Sequence, residues 1–128
     1  VLARADDGSV AGAATQSTRH LIGADQIAAL GPDGVLVNIA RGDLVDTDAL
    51  VAALRDGGLF AAGLDVFEEE PLPDGHPLWS LDNALLTPHV ANPLNSLHAN
   101  LARHVERNIR AFAAGEPLNA VIDLEKQY

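Results

Sequence analysis

Three side chains in this 128-residue sequence stand out for what their types could do together: Arg41, Glu70 and His89. A guanidinium stays charged at any working pH and grips a carboxylate with two parallel hydrogen bonds, most firmly when it is buried. Imidazole titrates near neutrality, so it both donates and accepts a proton. A carboxylate beside it favours the imidazolium and fixes the ring's tautomer. The set could anchor an anionic substrate and move a proton on it. Taken singly, each residue has a plainer reading: Arg41 as a surface-loop arginine, His89 as a packed or capping histidine, Glu68-Glu69-Glu70 as a solvated acidic turn.

Such chemistry requires three distant stretches of chain to converge, and the surrounding pattern predicts how they do so. Ala24 to Leu30 has a short apolar helical face, followed by the stop-and-turn Gly31-Pro32-Asp33-Gly34. Val35 to Ile39 is a largely apolar, β-branched run, the pattern of a parallel strand covered on both faces, and Ala40 to Asp43 is a loop at its end. Asp46 is an N-cap candidate for a helix carrying Ala49, Leu50, Ala53 and Leu54, which Gly57-Gly58 ends. Leu59 to Val66 and Ala84 to Thr87 are further strands, the latter stopped by Pro88. The acidic, Pro-rich loop Glu68 to Pro77 lies between them, and Trp79 follows it. From Asn95 to about Ala114 the spacing predicts a long amphipathic helix with Leu97, Leu101, Val105, Ile109 and Phe112 on one stripe, closed by Gly115.

This rhythm is that of an open α/β sheet, in which ligands bind outside the carboxyl ends of the strands. Three polar clusters fall at those ends: Asn38 to Arg41, Asp65 to Glu70, and Thr87 to Asn92.

Composition narrows the function classes. Eighteen acidic against eight basic residues give a net charge of −10, which argues against a nucleic-acid binder that tracks phosphates with clustered Lys and Arg. It argues equally against a protein that adheres to anionic membranes. With no cysteine there is no disulfide scaffold, thiolate nucleophile or Cys-ligated metal, and no metal site is expected. No stretch has the length and apolarity of a membrane span and no signal peptide is visible, so a cytoplasmic location is expected. Of the 48% hydrophobic residues many are alanine, 22 in all, so the core should be thinner than that percentage suggests.

Val35-Leu36-Val37-Asn38-Ile39-Ala40-Arg41-Gly42, Leu64-Asp65-Val66-Phe67 with Glu70-Pro71, and Leu86-Thr87-Pro88-His89 together resemble the signature blocks of the NAD(P)-dependent D-isomer-specific 2-hydroxyacid dehydrogenases. Thr15 to Ile22 resembles that family's short segment after the preceding strand. The resemblance implies a partial Rossmann-like fold, a doubly wound and mostly parallel sheet with a long C-terminal helix. Residues 1–114 would be the C-terminal part of the NAD-binding domain, and residues 115–128, including Val121-Ile122-Asp123-Leu124, a tail returning to the substrate domain. It also implies reduction of 2-oxo acids, or oxidation of D-2-hydroxy acids, with NAD as cofactor and NADP not excluded. Arg41 would hold the substrate carboxylate, and His89, kept protonated by Glu70, would exchange a proton with the substrate oxygen. Asp65 would bond the nicotinamide amide, while Ile39, Ala40, Arg41, His89, Val90, Ala91 and Asn92 would line the nicotinamide ribose and ring.

Two departures from that family qualify the expectation. The sequence contains no G-x-G-x-x-G turn for the pyrophosphate and no paired ribose-reading acid, so a fragment of a longer enzyme, poorly active alone, is expected. Pairing as a homodimer, or with the absent part, would then complete it. The stretch from Asp6 to Ala14 is also atypical, because Asp7, Gly8 and Ser9 are poor interior-strand residues. Competing readings are a non-catalytic, NAD-sensing or protein-contact module resembling corepressor relatives, and a truncated fragment without independent activity.

Overall fold

The computed structural model describes residues 7–92 and 94–125. Ala5 and Asp6, where the atypical segment begins, lie outside the described residues, as does the side chain of Leu97. Residues through His89 form one compact unit and those from Val90 a second.

The first unit is built on four parallel strands in the order β1-β2-β3-β4: β1 Asp7–Val10, β2 Val35–Asn38, β3 Ala61–Leu64 and β4 Ala84–Leu86. Helix α1, Ala24–Leu30, joins β1 to β2, and α2, Thr47–Arg55, joins β2 to β3. Spatial order follows chain order because each crossover steps to the adjacent strand.

The apolar spacing decides which sheet face is covered. Val10, Leu36, Ala62 and Leu64 are buried with Ile27 and Leu30 of α1 and Leu50, Val51 and Leu54 of α2. Both helices therefore pack on the same face. On the opposite face Val35, Val37, Ala61 and Gly63 are only partly covered, so β2 is not covered equally on both faces as its composition suggests. Asp46 caps α2 as expected, its carboxylate accepting the Ala49 amide at 3.0 Å.

Asp7, Gly8 and Ser9 do form a strand despite their poor propensity. β1 pairs on one side with β2, where Gly8 packs against Leu30 and Leu36 and Val10 is buried, while Asp7 and Ser9 point to the exposed side. Tertiary packing of two positions outweighs the propensity of the others.

In the second unit, α3 runs from Leu94 to Ala114, and Gly115 ends it with a φ of 70°, as the spacing predicts. Leu101, Val105, Ile109 and Phe112 of the apolar stripe are exposed, and Ala111 is the buried hydrophobic residue of this unit among those described. Asn108 ties the helix to the tail through paired hydrogen bonds with the backbone of Asn119. Among the described residues no helix is long and apolar enough to cross a membrane.

Candidate active site

A parallel sheet points all its carboxyl ends the same way, so the segments leaving β1, β2, β3 and β4 meet along one edge. Ala11 to Ala14 leave β1, Ile39 to Arg41 leave β2, Asp65 to Glu70 leave β3, and Thr87 to His89 leave β4.

Between the last two of these segments, Glu70 meets His89. Glu70 Oε2 lies 2.8 Å from His89 Nδ1, while Glu70 Oε1 accepts the Phe67 amide at 2.9 Å. The hydrogen bond from His89 outweighs the upward push of burial and, with the Phe67 amide and the charges of His89 and Arg41, holds the Glu70 carboxyl below its usual range. Backbone geometry reinforces the placement. His89 has a φ of 54°, in the left-handed region that non-glycine residues seldom adopt, and its amide donates to Thr87 O at 3.1 Å.

Arg41 is exposed, and its Nη1 donates to the carbonyl of Ala40 at 2.6 Å. What is buried there is Asn38, whose amide nitrogen donates to Arg41 O at 2.9 Å and whose oxygen accepts the Ala40 amide at 3.1 Å. Asp65 is also buried and accepts the Thr87 hydroxyl at 2.5 Å, linking the ends of β3 and β4.

Two clefts border the edge. One, of about 590 Å³, is lined by Phe67, Glu70, Leu72, Trp79, Pro88 and His89 among others. Trp79 is 58% exposed there, and its indole N–H donates to Pro73 O at 3.0 Å. The other, of about 470 Å³, is lined by Ala11, Gly12, Ala13, Ala14, Ile39, Ala40 and Arg41. The structure thus brings Glu70 and His89 into one cleft and Ile39, Ala40 and Arg41 into a neighbouring one. Val90, Ala91 and Asn92 belong to the second unit, where all three are exposed. Among the described residues no group of three His, Cys, Asp or Glu side chains is arranged to hold a metal ion.

Residues 1–91 match the family described as the D-isomer specific 2-hydroxyacid dehydrogenase NAD binding domain. The chain belongs to that family. Glyoxylate reductase of Aeropyrum pernix is 46% identical over 108 residues, 84% of this chain and 32% of that protein. A D-isomer specific 2-hydroxyacid dehydrogenase from Xanthobacter autotrophicus Py2, solved with NADPH and MES, superposes on 99% of the chain with a TM-score of 0.87 at 42% identity. NADPH-dependent glyoxylate/hydroxypyruvate reductase from Sinorhizobium meliloti, solved with NADP and sulfate, does so over 99% with a TM-score of 0.90 at 34% identity. The chain spans 52% and 41% of those two solved chains. Its fold is that of the Rossmann-type dehydrogenases.

Within this dehydrogenase domain, side chains other than the expected three shape the site. Glu68 lies in the exposed acidic run, yet it accepts hydrogen bonds from His20, Arg19 and the Thr47 amide. A Cβ added at Gly42 would overlap the Phe67 carbonyl and the Glu68 amide, so the loops after β2 and β3 touch backbone to backbone. A glycine directly after Arg41 and a first acid in the Glu-rich run were visible in the sequence. Their partners were not, because Gly42 meets Phe67 and His20 meets Glu68 only across the fold.

Proposed function

We propose that this domain forms the catalytic wall of an oxidoreductase that reduces short 2-oxo acids, and oxidises the corresponding D-2-hydroxy acids, with a nicotinamide cofactor. The observation that carries the reading is the 2.8 Å contact between Glu70 and His89 at the carboxyl edge of the sheet. Glu70 remains ionised there and accepts a hydrogen bond from His89 Nδ1. His89 is the general acid for reduction, donating a proton to the substrate oxygen, and the general base in the reverse direction. The Glu70 contact uses Nδ1, which leaves Nε2 as the nitrogen that exchanges the proton. Arg41, exposed and next to this pair in the electrostatic sense, binds the substrate carboxylate and offsets the acidity of the chain around it.

The cleft at Ala11 to Ala14 and Ile39 to Arg41 fits a flat cofactor. Its alanines and glycine let a ring lie close to the backbone, and a volume of about 470 Å³ is in the range of ligand pockets. Ile39, Ala40 and Arg41 would line the nicotinamide ribose and ring, a role the family resemblance also gives to His89, Val90, Ala91 and Asn92. Asp65, at the carboxyl end of β3, would take the nicotinamide carboxamide. The cofactor, when bound, supplies the hydride. The family resemblance makes residues 115–128 the return to a substrate domain, and that domain or a second copy would close the site. The names of the relatives point to glyoxylate and hydroxypyruvate as the substrates to try.

The test is turnover of glyoxylate with NADH and with NADPH, comparing the wild type with His89→Gln. The reading expects a fall in kcat of about 100-fold or more, the contribution of a general acid. Turnover that survives the substitution overturns it.

A further inference from the structure

Between the loop that carries Arg41 and the loop that carries Glu70 runs a set of polar contacts that proton transfer does not use. Glu68 is its hub. Its Oε1 lies 2.6 Å from His20 Nε2 and accepts from Arg19 Nη2 at 3.3 Å, while its Oε2 accepts the Thr47 amide at 3.2 Å. Arg19 also pairs with Asp43 at 2.8 Å, and His20 Nδ1 is 3.8 Å from Asp46. The backbone repeats the connection: His20 N donates to Asp43 O, Ile22 N to Leu44 O, and Asp46 N to Ile22 O. Residues 19–22 are therefore laced to residues 43–46, and Glu68 ties both to its own loop.

Glu68 and Glu70 are two positions apart and make contacts in different directions, one into this network and the other with His89. The loops they link have no slack, because Gly42 sits directly against the Phe67–Glu68 peptide.

We infer that Glu68, clasped by Arg19 and His20, is a positioning residue that sets where the Arg41 loop stands relative to the Glu70–His89 pair. The inference rests on the roles proposed above for Arg41, Glu70 and His89. The plain alternative is a surface ion pair of little consequence, and the Arg19–Asp43 pair, 59% and 48% exposed, fits that description. Glu68 does not. Its side chain is only 25% exposed, and it also takes a backbone amide at the start of α2. Burial pushes its carboxyl up, yet the hydrogen bonds from His20 and Thr47 prevail and hold it below its usual range. The ligands of Glu68 thus dominate its environment.

The experiment follows the side-chain carboxyl of Glu70 by carbon NMR titration in the 128-residue chain, with amide exchange at Val45, whose N–H donates to Gly42 O at 3.0 Å. In Glu68→Ala the Glu70 midpoint is expected to rise toward the ordinary glutamate value of about 4.3, and exchange at Val45 to speed up. Removing a neighbouring negative charge would by itself lower that midpoint, so a rise reports lost geometry rather than lost charge. Glu68→Gln keeps an acceptor for Thr47 and a partner for His20, and is expected to leave the midpoint low. An unchanged Glu70 midpoint in folded Glu68→Ala overturns the inference, as does a midpoint that rises equally in Glu68→Gln. If the alanine variant does not fold, Arg19→Ala combined with His20→Ala removes the clasp and leaves Glu68 in place, and an unchanged midpoint there overturns it too. None of these readouts uses turnover, so failure here is distinct from failure of His89→Gln to abolish activity.

Discussion

Glu70 and His89, 19 positions apart in sequence, meet at 2.8 Å because β3 and β4 are parallel neighbours whose following loops leave the same edge of the sheet. The contact lowers the Glu70 carboxyl, and the network around Glu68 lowers that one as well.

Acid sensitivity follows from both. Each folded-state value lies below the unfolded value of about 4.3, so the stabilisation is complete above that pH and is lost as pH falls through the folded-state value. Urea melts between pH 7 and pH 3 should show stability declining on the acid side. Glu70→Gln and Glu68→Gln should each flatten that decline. At 35% and 25% exposure of these side chains, each contributes no more than about 1 kcal/mol. An acid limb equally steep in the double variant would contradict this assignment.

Gly42→Ala should destabilise the protein far more than a glycine-to-alanine change in an open loop. The new methyl meets backbone on the Phe67–Glu68 peptide, and backbone cannot rotate aside. Overpacking of this kind costs about 1–3 kcal/mol. Gly12→Ala is the control, since nothing lies within 4 Å of its added Cβ. Chemical denaturation of the two variants side by side distinguishes them, and equal midpoints would refute the close approach.

Asn38→Ala removes both bonds that pin the turn before Arg41, leaving the amide of half-buried Ala40 without its partner and the Arg41 carbonyl with only the Leu44 amide at 3.3 Å. An unpaired polar group out of water costs about 1–3 kcal/mol, so a loss of roughly 1–2 kcal/mol is expected. Amide exchange should rise at Ala40 while remaining slow at Leu36 in the middle of the strand. Uniform acceleration of both would indicate a global effect rather than a loop anchor.

Thr87→Val keeps shape and β-branching but deletes the hydroxyl that Asp65 accepts. A hydrogen bond to a charged group contributes about 1.5–3 kcal/mol, so thermal melts should reveal a loss in that range. Asp65→Ala combined with Thr87→Val should lose less than the sum of the two single changes, because both delete one interaction. Strict additivity would show that the two side chains act separately.

Much of the architecture was legible in the chain because its signals are local. Ala24 to Leu30 and the Asp46 cap coincide with observed elements, and the strand at Val35 is in place, since each depends on neighbours within a turn or two. The strand predicted over Leu59 to Val66 shortens to Ala61–Leu64, where a ladder partner exists on both sides. β1 was not legible for the converse reason. Asp7 and Ser9 are poor strand formers by themselves, but an edge position lets them face outward while Gly8 and Val10 pack inward.

The site divides along the same line. Residue types and block spacing were enough to single out Arg41, Glu70 and His89, to name the family they resemble, and to place them at strand ends, because chemistry and periodicity are written in the order of residues. The exposure of Arg41, the burial of Asn38 and Asp65 beneath the site, and the clasp of Glu68 by Arg19 and His20 were decided by the tertiary structure alone. Those depend on distances between segments separated by 22 to 49 positions, and no local pattern encodes which of several carboxylates in an acidic run a distant histidine will meet.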